Sequence, residues 1–171
     1  DQDKYIFTTA DSYNAIIGSN GRFTVPDVQL NQGIRLTHKY AVDYSNKEQK
    51  FLLPNPQTDV TTLEVTVKAS PTSTIIDTYT KVTDTVKVTA TSKVFFLYEE
   101  FDGRYEVQFG DNKVGARPAD GSQVILTTNI SDGQVTNKAA TFQAIDLIGG
   151  YADVQVVTTT AGYGGAVRES I

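Results

Sequence analysis

The chain has 171 residues, 39% of them hydrophobic and 20% charged, which suits one domain or two small ones with a real core and excludes a disordered segment. Its net charge is −5 with Lys and Arg scattered along the chain, which argues against a nucleic-acid footprint. It has no Cys, which removes disulfides, thiolate nucleophiles and zinc–sulfur sites and fits assembly in a reducing cytoplasm. No apolar run approaches the roughly 18 residues of a membrane helix, and no signal peptide is visible. With Asp at position 1 and no Met, the chain is expected to be a piece of a longer protein.

Thr, Val, Ile, Tyr and Phe dominate, residue types that suit a pleated, half-buried surface. In chain order, short strands are expected at 4–9, 21–25 and 34–42, with a short helical turn over 11–17 capped by Asp11 or Ser12. Pro54 and Pro56 bracket Asn55 in a loop after Phe51-Leu52-Leu53. Alternation then places Leu63, Val65 and Val67 on one face of a strand. Further strands are expected at 75–79, 85–89, 94–99, 104–109, 123–128 and 153–158. Phe101-Asp102-Gly103-Arg104 between two such runs is the cleanest hairpin signal, and Asn20-Gly21, Asp120-Gly121 and Asp132-Gly133 mark other turns. A helix is predicted over 139–148, stopped by Gly149-Gly150, although its composition also allows a strand. The predicted class is mainly β: antiparallel sheets, sandwich-like, with long loops and at most one or two short helices. The predicted divisions are a loop-rich β region (1–55), a main β domain (56–160) and a glycine-rich joint (161–171).

Several polar groupings bear on possible chemistry. His38 is the single histidine and lies in a predicted strand without a partner motif, which favours a structural role over catalysis or metal binding. Glu99, Glu100 and Asp102 cluster at the predicted hairpin and are expected to be a solvated tip, since their spacing fits neither a calcium loop nor a sugar site with a stacking Trp. The glycines at 110, 115 and 121 do not form a phosphate cradle, because Gly115 is followed by Ala116-Arg117-Pro118 and then a strand. Asn129-Ile130-Ser131 matches a glycosylation sequon of a kind common by chance. The aromatics Phe95, Phe96, Tyr98, Phe101, Tyr105 and Phe109 are expected to pack across strands in a core. No catalytic residue, metal ligand or cofactor is predicted.

One ordered set of motifs remains. Tyr105-Glu106-Val107-Gln108-Phe109-Gly110-Asp111, then Gly115, then Pro118-Ala119-Asp120-Gly121 resembles the hallmark of baseplate J-like proteins, wedge components of contractile phage tails and related injection machines. Phe51-Leu52-Leu53-Pro54-Asn55 followed by Leu63-Glu64-Val65-Thr66-Val67 resembles the same family upstream. The closing Gly164-Gly165-Ala166-Val167-Arg168-Glu169-Ser170 is similar to its joint, with Ala166 where an acidic residue often stands. Gly21-Arg22-Phe23-Thr24-Val25-Pro26-Asp27 and Leu36-Thr37-His38-Lys39-Tyr40 are similar to the gene-six wedge proteins of T-even phages.

The resemblance implies a non-enzymatic structural component of the virion, assembled in the host cytoplasm. Such a component joins copies of itself and other wedge subunits in the ring around the baseplate hub and rearranges on sheath contraction. Tyr105, Phe109, Gly110, Asp111, Gly115, Pro118 and Gly121 are then the structural signature, and Gly162, Gly164, Gly165, Glu169 and Ser170 the joint. No nucleic acid and no membrane contact are expected. The alternative reading is a carbohydrate- or receptor-binding β-sandwich.

Overall fold

A computed structural model describes residues 4–9 and 11–166. In chain order the strands are β1 (Phe7–Thr8), β2 (Ile16–Ile17), β3 (Phe23–Thr24), β4 (Asn31–Gln32), β5 (Ile34–Ala41), β6 (Phe51–Leu53), β7 (Thr58–Lys68), β8 (Ile76–Lys81), β9 (Val94–Glu99), β10 (Tyr105–Phe109) and β11 (Gln123–Ile130). Two short 3-10 turns, Thr85–Lys87 and Gly133–Thr136, are the helical elements among the described residues. The chain is therefore mainly β.

Two compact units emerge: Phe7–Ser131, and a second whose described residues are 4–6 and 132–166. The first unit carries a seven-stranded sheet in the order β5-β11-β7-β8-β9-β10-β6. The division expected near residue 55 is crossed by this sheet, because β5 pairs with β11 from Ile34↔Ile130 to Ala41↔Gln123 and β6 pairs with β10. Every pairing in it is antiparallel except β8–β9, which run parallel through Thr80↔Val94 and Lys81↔Phe95. The small pairs β1–β4 and β2–β3 lie outside it.

The sheet curls until its outer strands meet. The Tyr40 hydroxyl on β5 donates to the Leu52 carbonyl on β6 at 2.5 Å, and the Tyr40 and Phe51 rings meet edge to face at 5.8 Å. Burial pushes the Tyr40 hydroxyl above the usual tyrosine range, against the smaller opposing effect of that hydrogen bond. The concave face holds the core: Phe51, Leu53, Val65, Val67, Tyr79, Phe95, Val107, Val124 and Leu126, with Val42 at the end of β5. These positions are every second residue along their strands, so the alternation in the sequence became one apolar face. Each full burial of a Leu, Val or Phe there contributes roughly 1.5–3 kcal/mol.

Some elements differ from expectation. The run at 85–89 alternates, yet Thr85–Lys87 turns, because the Asp84 carboxylate accepts the Val86 N–H at 3.0 Å and closes a local turn. The helical turn expected over 11–17 instead ends in β2, paired to β3 through Ile16↔Thr24 and Ile17↔Phe23. Residues 139–148 form no helix; their one ladder contact is the bridge from Ile148 to Tyr151. The alternation at 153–158 makes no strand, with Val157 75% exposed and no neighbouring strand to pair with among the described residues.

Candidate functional site

The signature segment begins as β10 and ends as a backbone corner. Phe109 faces the core, meeting Phe51 at 5.4 Å and Tyr79 at 5.1 Å in edge-to-face geometry, while Tyr105 packs against the same core. At Gly110 the chain passes so close to itself that a Cβ would lie 2.1 Å from the Gly115 carbonyl oxygen. Gly115 has φ +84°, a left-handed conformation that side chains strain. Between these glycines the Asp111 carboxylate accepts the N–H groups of Lys113 at 2.9 Å and Val114 at 3.0 Å, and the Asn112 N–H donates to the Gly115 carbonyl at 2.9 Å. Those donors, Val114 first, hold the Asp111 carboxyl below the usual carboxylate range.

The corner is stitched to two other places. Gly115 N–H donates to the Thr89 carbonyl and Ala116 N–H to the Ser92 carbonyl, which ties it to the lead-in of β9. Beyond it, the Tyr44 hydroxyl donates to the Pro118 carbonyl at 2.7 Å, and the Asp120 carboxylate accepts the Tyr44 N–H at 2.9 Å. Gly121 N–H donates to the Val42 carbonyl and Val42 N–H to the Ser122 carbonyl, so Pro118 to Ser122 wrap the end of β5. Arg117 lies over the Tyr44 ring at 3.4 Å, and its N–H donates to the Asn112 side chain. Tyr44, Asn112 and Arg117 were not singled out in the sequence; their partners lie far along the chain or in a turn without a pattern.

The sequence also hid a charge cluster on the outer face of β10. Lys50 Nζ lies 2.5 Å from Glu100 Oε1 and 3.1 Å from Glu106 Oε2, and Gln108 donates to Glu106 at 3.0 Å. The Lys50 ammonium holds the Glu100 carboxyl below its ordinary range, and the two carboxylates hold the Lys50 ammonium above its own.

Other candidates fall into place separately. The hairpin forms as predicted: Glu100 N–H donates to the Arg104 carbonyl at 2.7 Å, and Gly103 takes φ +81°. Glu99 ends β9 and Glu100 and Asp102 follow into the turn, and Asp102 is held below its ordinary range by Arg104, which it pairs at 2.6 Å. The groove lined by residues 81–85 and 96–98, and a second one between β7 and β8, include none of these carboxylates. The aromatics expected to pack in a core do so only in part: Phe95, Tyr105 and Phe109 serve the core and Phe96 is half-buried, whereas Tyr98 on β9 and Phe101 in the turn are exposed, because neither side chain faces the concave core. His38 is half-buried opposite Leu126 in the β5–β11 register. Asn129 is 1% exposed, which hides the sequon amide in the folded chain. No grouping of His, Asp and Glu suited to a metal ion occurs among the described residues.

Two of the three glycines expected to form a joint, Gly162 and Gly165, are closely packed. A Cβ at Gly165 would lie 2.4 Å from the Gly133 carbonyl oxygen, and the Asn137 side chain both accepts from Gly165 N–H at 2.9 Å and donates to its carbonyl at 2.8 Å. Gly162 N–H donates to the Ala139 carbonyl, and Lys138 N–H to that of Gly162. These two glycines therefore permit close approach, and Gly164 takes a left-handed φ of +85° with open space around its Cα. Glu169 and Ser170 lie outside the described residues.

Compared with known proteins, the chain matches no family model and no curated protein.

Proposed function

We propose that the chain is a structural domain of a contractile-tail baseplate wedge, one that joins copies of itself and other wedge subunits in the ring around the hub. One observation carries the reading beside the resemblance: the signature residues supply shape. Gly110 and Gly115 permit a close crossing, Asp111 holds the N–H groups of its own turn, and the Pro118–Gly121 stretch grips the end of β5. A corner of this kind fixes the direction in which strands and loops leave a domain, which is what a subunit of a closed ring must reproduce in each copy.

The test is a co-assembly pull-down of the full-length protein with the other wedge subunits of the same tail. Stable co-assembly is expected. Failure to co-assemble with any of them, by protein that is folded by circular dichroism, overturns the reading. Exposed Tyr98 and Phe101 are the aromatics that favour the alternative, a carbohydrate- or receptor-binding module. Reproducible, competable binding on a glycan array would favour that module over a pure scaffold.

A further inference from the structure

The Asn20-Gly21 turn takes no part in the seven-stranded sheet or in the signature corner. Of the chain's eight asparagines, Asn20 alone is followed by Gly. At six of the others the next residue carries a side chain beside its N–H, and Asn55 is followed by Pro56, which has no N–H. The Gly21 nitrogen is therefore the least hindered backbone neighbour that any asparagine side chain here has.

The turn joins β2 to β3. Gly18 N–H donates to the Arg22 carbonyl at 2.8 Å, and Gly21 N–H donates to the Gly18 carbonyl at 3.0 Å. Gly21 takes φ +72°, and a Cβ placed on it would meet nothing within 4 Å. The Asn20 side chain folds back across Gly21, because its Oδ1 accepts the Arg22 N–H at 3.0 Å. That donor is aimed at the oxygen on which negative charge gathers when the amide carbon is attacked. One contact opposes reaction: the bond from Gly21 N–H to Gly18 must open first. Little holds it closed. β2 and β3 have two residues each, and Ile16, Ile17, Phe23 and Thr24 are all exposed. A two-stranded hairpin of that kind is marginally stable by itself. Elsewhere the same chemistry is blocked. Asn129 is 1% exposed within β11, and the Asn137 amide is engaged with Gly165. Asp102-Gly103 and Asp120-Gly121 present carboxylates, and attack on an ionised carboxylate would load a second negative charge on one group.

We propose that Asn20 is a site of spontaneous covalent modification, losing its amide to become aspartate and isoaspartate while the chain stays folded. The Gly21 nitrogen gives up its proton to solvent base and attacks Asn20 Cγ. A Cγ–N bond forms, the Cγ–Nδ2 bond breaks, and Nδ2 leaves as ammonia with a proton from water. The product is a five-membered imide. Water then opens it at either carbonyl: cleavage at Cγ leaves aspartate, and cleavage at the main-chain carbonyl leaves isoaspartate, with the chain running through the side-chain carbon. No oxidant or reductant is needed. Either product adds a negative charge to a chain already at −5. Isoaspartate also lengthens the backbone inside the turn, so Ile16↔Thr24 and Ile17↔Phe23 lose their register. The seven-stranded sheet shares no pairing with β2 or β3 and is left intact.

The test is timed incubation of the chain in mildly alkaline buffer, folded and in urea. Peptide mass spectrometry locates each lost amide, and isoaspartyl methyltransferase labelling reads the isomer. Asn20 is expected to lose its amide before any other asparagine, with isoaspartate among the products. Its rate in the folded chain is expected to lie within about tenfold of the rate in urea, because so small a hairpin opens readily. Stronger protection in the folded chain, or another asparagine reacting as fast, overturns the proposal. Asn20→Ser keeps an oxygen for the Arg22 N–H and is expected to abolish the labelling at the turn, whereas labelling that persists there overturns the assignment to Asn20. In the aged chain, amide resonances of 16–17 and 23–24 are expected to move while those of β7 and β11 stay. An isoaspartyl form with unmoved 16–17 and 23–24 resonances overturns the predicted loss of register. None of these readouts depends on co-assembly with wedge subunits.

Discussion

The sheet unit and the segment from 132 to 166 reach order by different means. In the sheet unit, alternating residues meet partner strands and bury a continuous face from Phe51 to Leu126. In the later segment Val135, Ile145, Leu147, Val157 and Tyr163 are each at least 60% exposed, and what order there is comes from backbone contacts around glycines. The alternation at 153–158 resembles that at 63–68, yet only the latter is a strand. A period of two makes a strand only where a neighbouring ladder accepts its backbone groups.

Each of the following variants breaks or sharpens that contrast. Leu53→Ala, at a fully buried position, is expected to destabilise the sheet unit by about 2–5 kcal/mol in urea unfolding, because a cavity opens where β6 closes the curl. Gly110→Ala forces a Cβ against backbone and is expected to cost about 1–3 kcal/mol by the same measurement, even though the site is a turn. Unchanged stability would show that the corner yields. Gly165→Ala meets the Gly133 carbonyl and is expected to lose the Asn137 pairing, read as faster amide exchange at Gly162 and Gly165 with the β7 and β11 amides unchanged. Faster β-sheet unfolding or loss of β7 protection would erase the distinction between the regions.

The smallest expected effect is that of pH. Glu100 is held below its ordinary range by Lys50, so its contribution is present above the ordinary carboxylate range and fades as pH falls through the lowered value. Thermal midpoints from pH 7 down to pH 3 are therefore expected to fall slightly less steeply in Lys50→Met than in the parent chain. Asp102 and Asp111, likewise lowered by Arg104 and by backbone N–H groups, keep part of the acid sensitivity in both.

Much of the sheet was legible in the sequence where a signal was local. The β9–β10 hairpin follows from Asp102-Gly103 between alternating runs, and Leu63, Val65 and Val67 share a face as expected. Asp84 defeated the alternation at 85–89 by offering its carboxylate to a nearby N–H, a competition that periodicity does not register. The Lys50–Glu100–Glu106 cluster and the grip of Pro118 on Tyr44 join residues about 50 to 74 positions apart, which no window of sequence contains. The glycines at 162 and 165 were read as freedom, but glycine serves equally where two backbones must nearly touch, and the sequence does not distinguish the uses.

The place of β11 has a consequence for how the chain comes to be folded. It is the last strand of the sheet in sequence, yet it lies between β5 and β7 and pairs with both. During synthesis the β9–β10 hairpin can close at once, since its pairing is local. β5 must wait with its backbone unpaired until the ribosome has released residues about 90 positions later, such as Thr127 opposite Thr37. Contacts of that range make folding slow and leave strand edges open meanwhile. Arg35, Lys39 and the neighbouring polar positions of β5 suit an edge that stays open that long, since charged and polar side chains discourage pairing with the wrong strand.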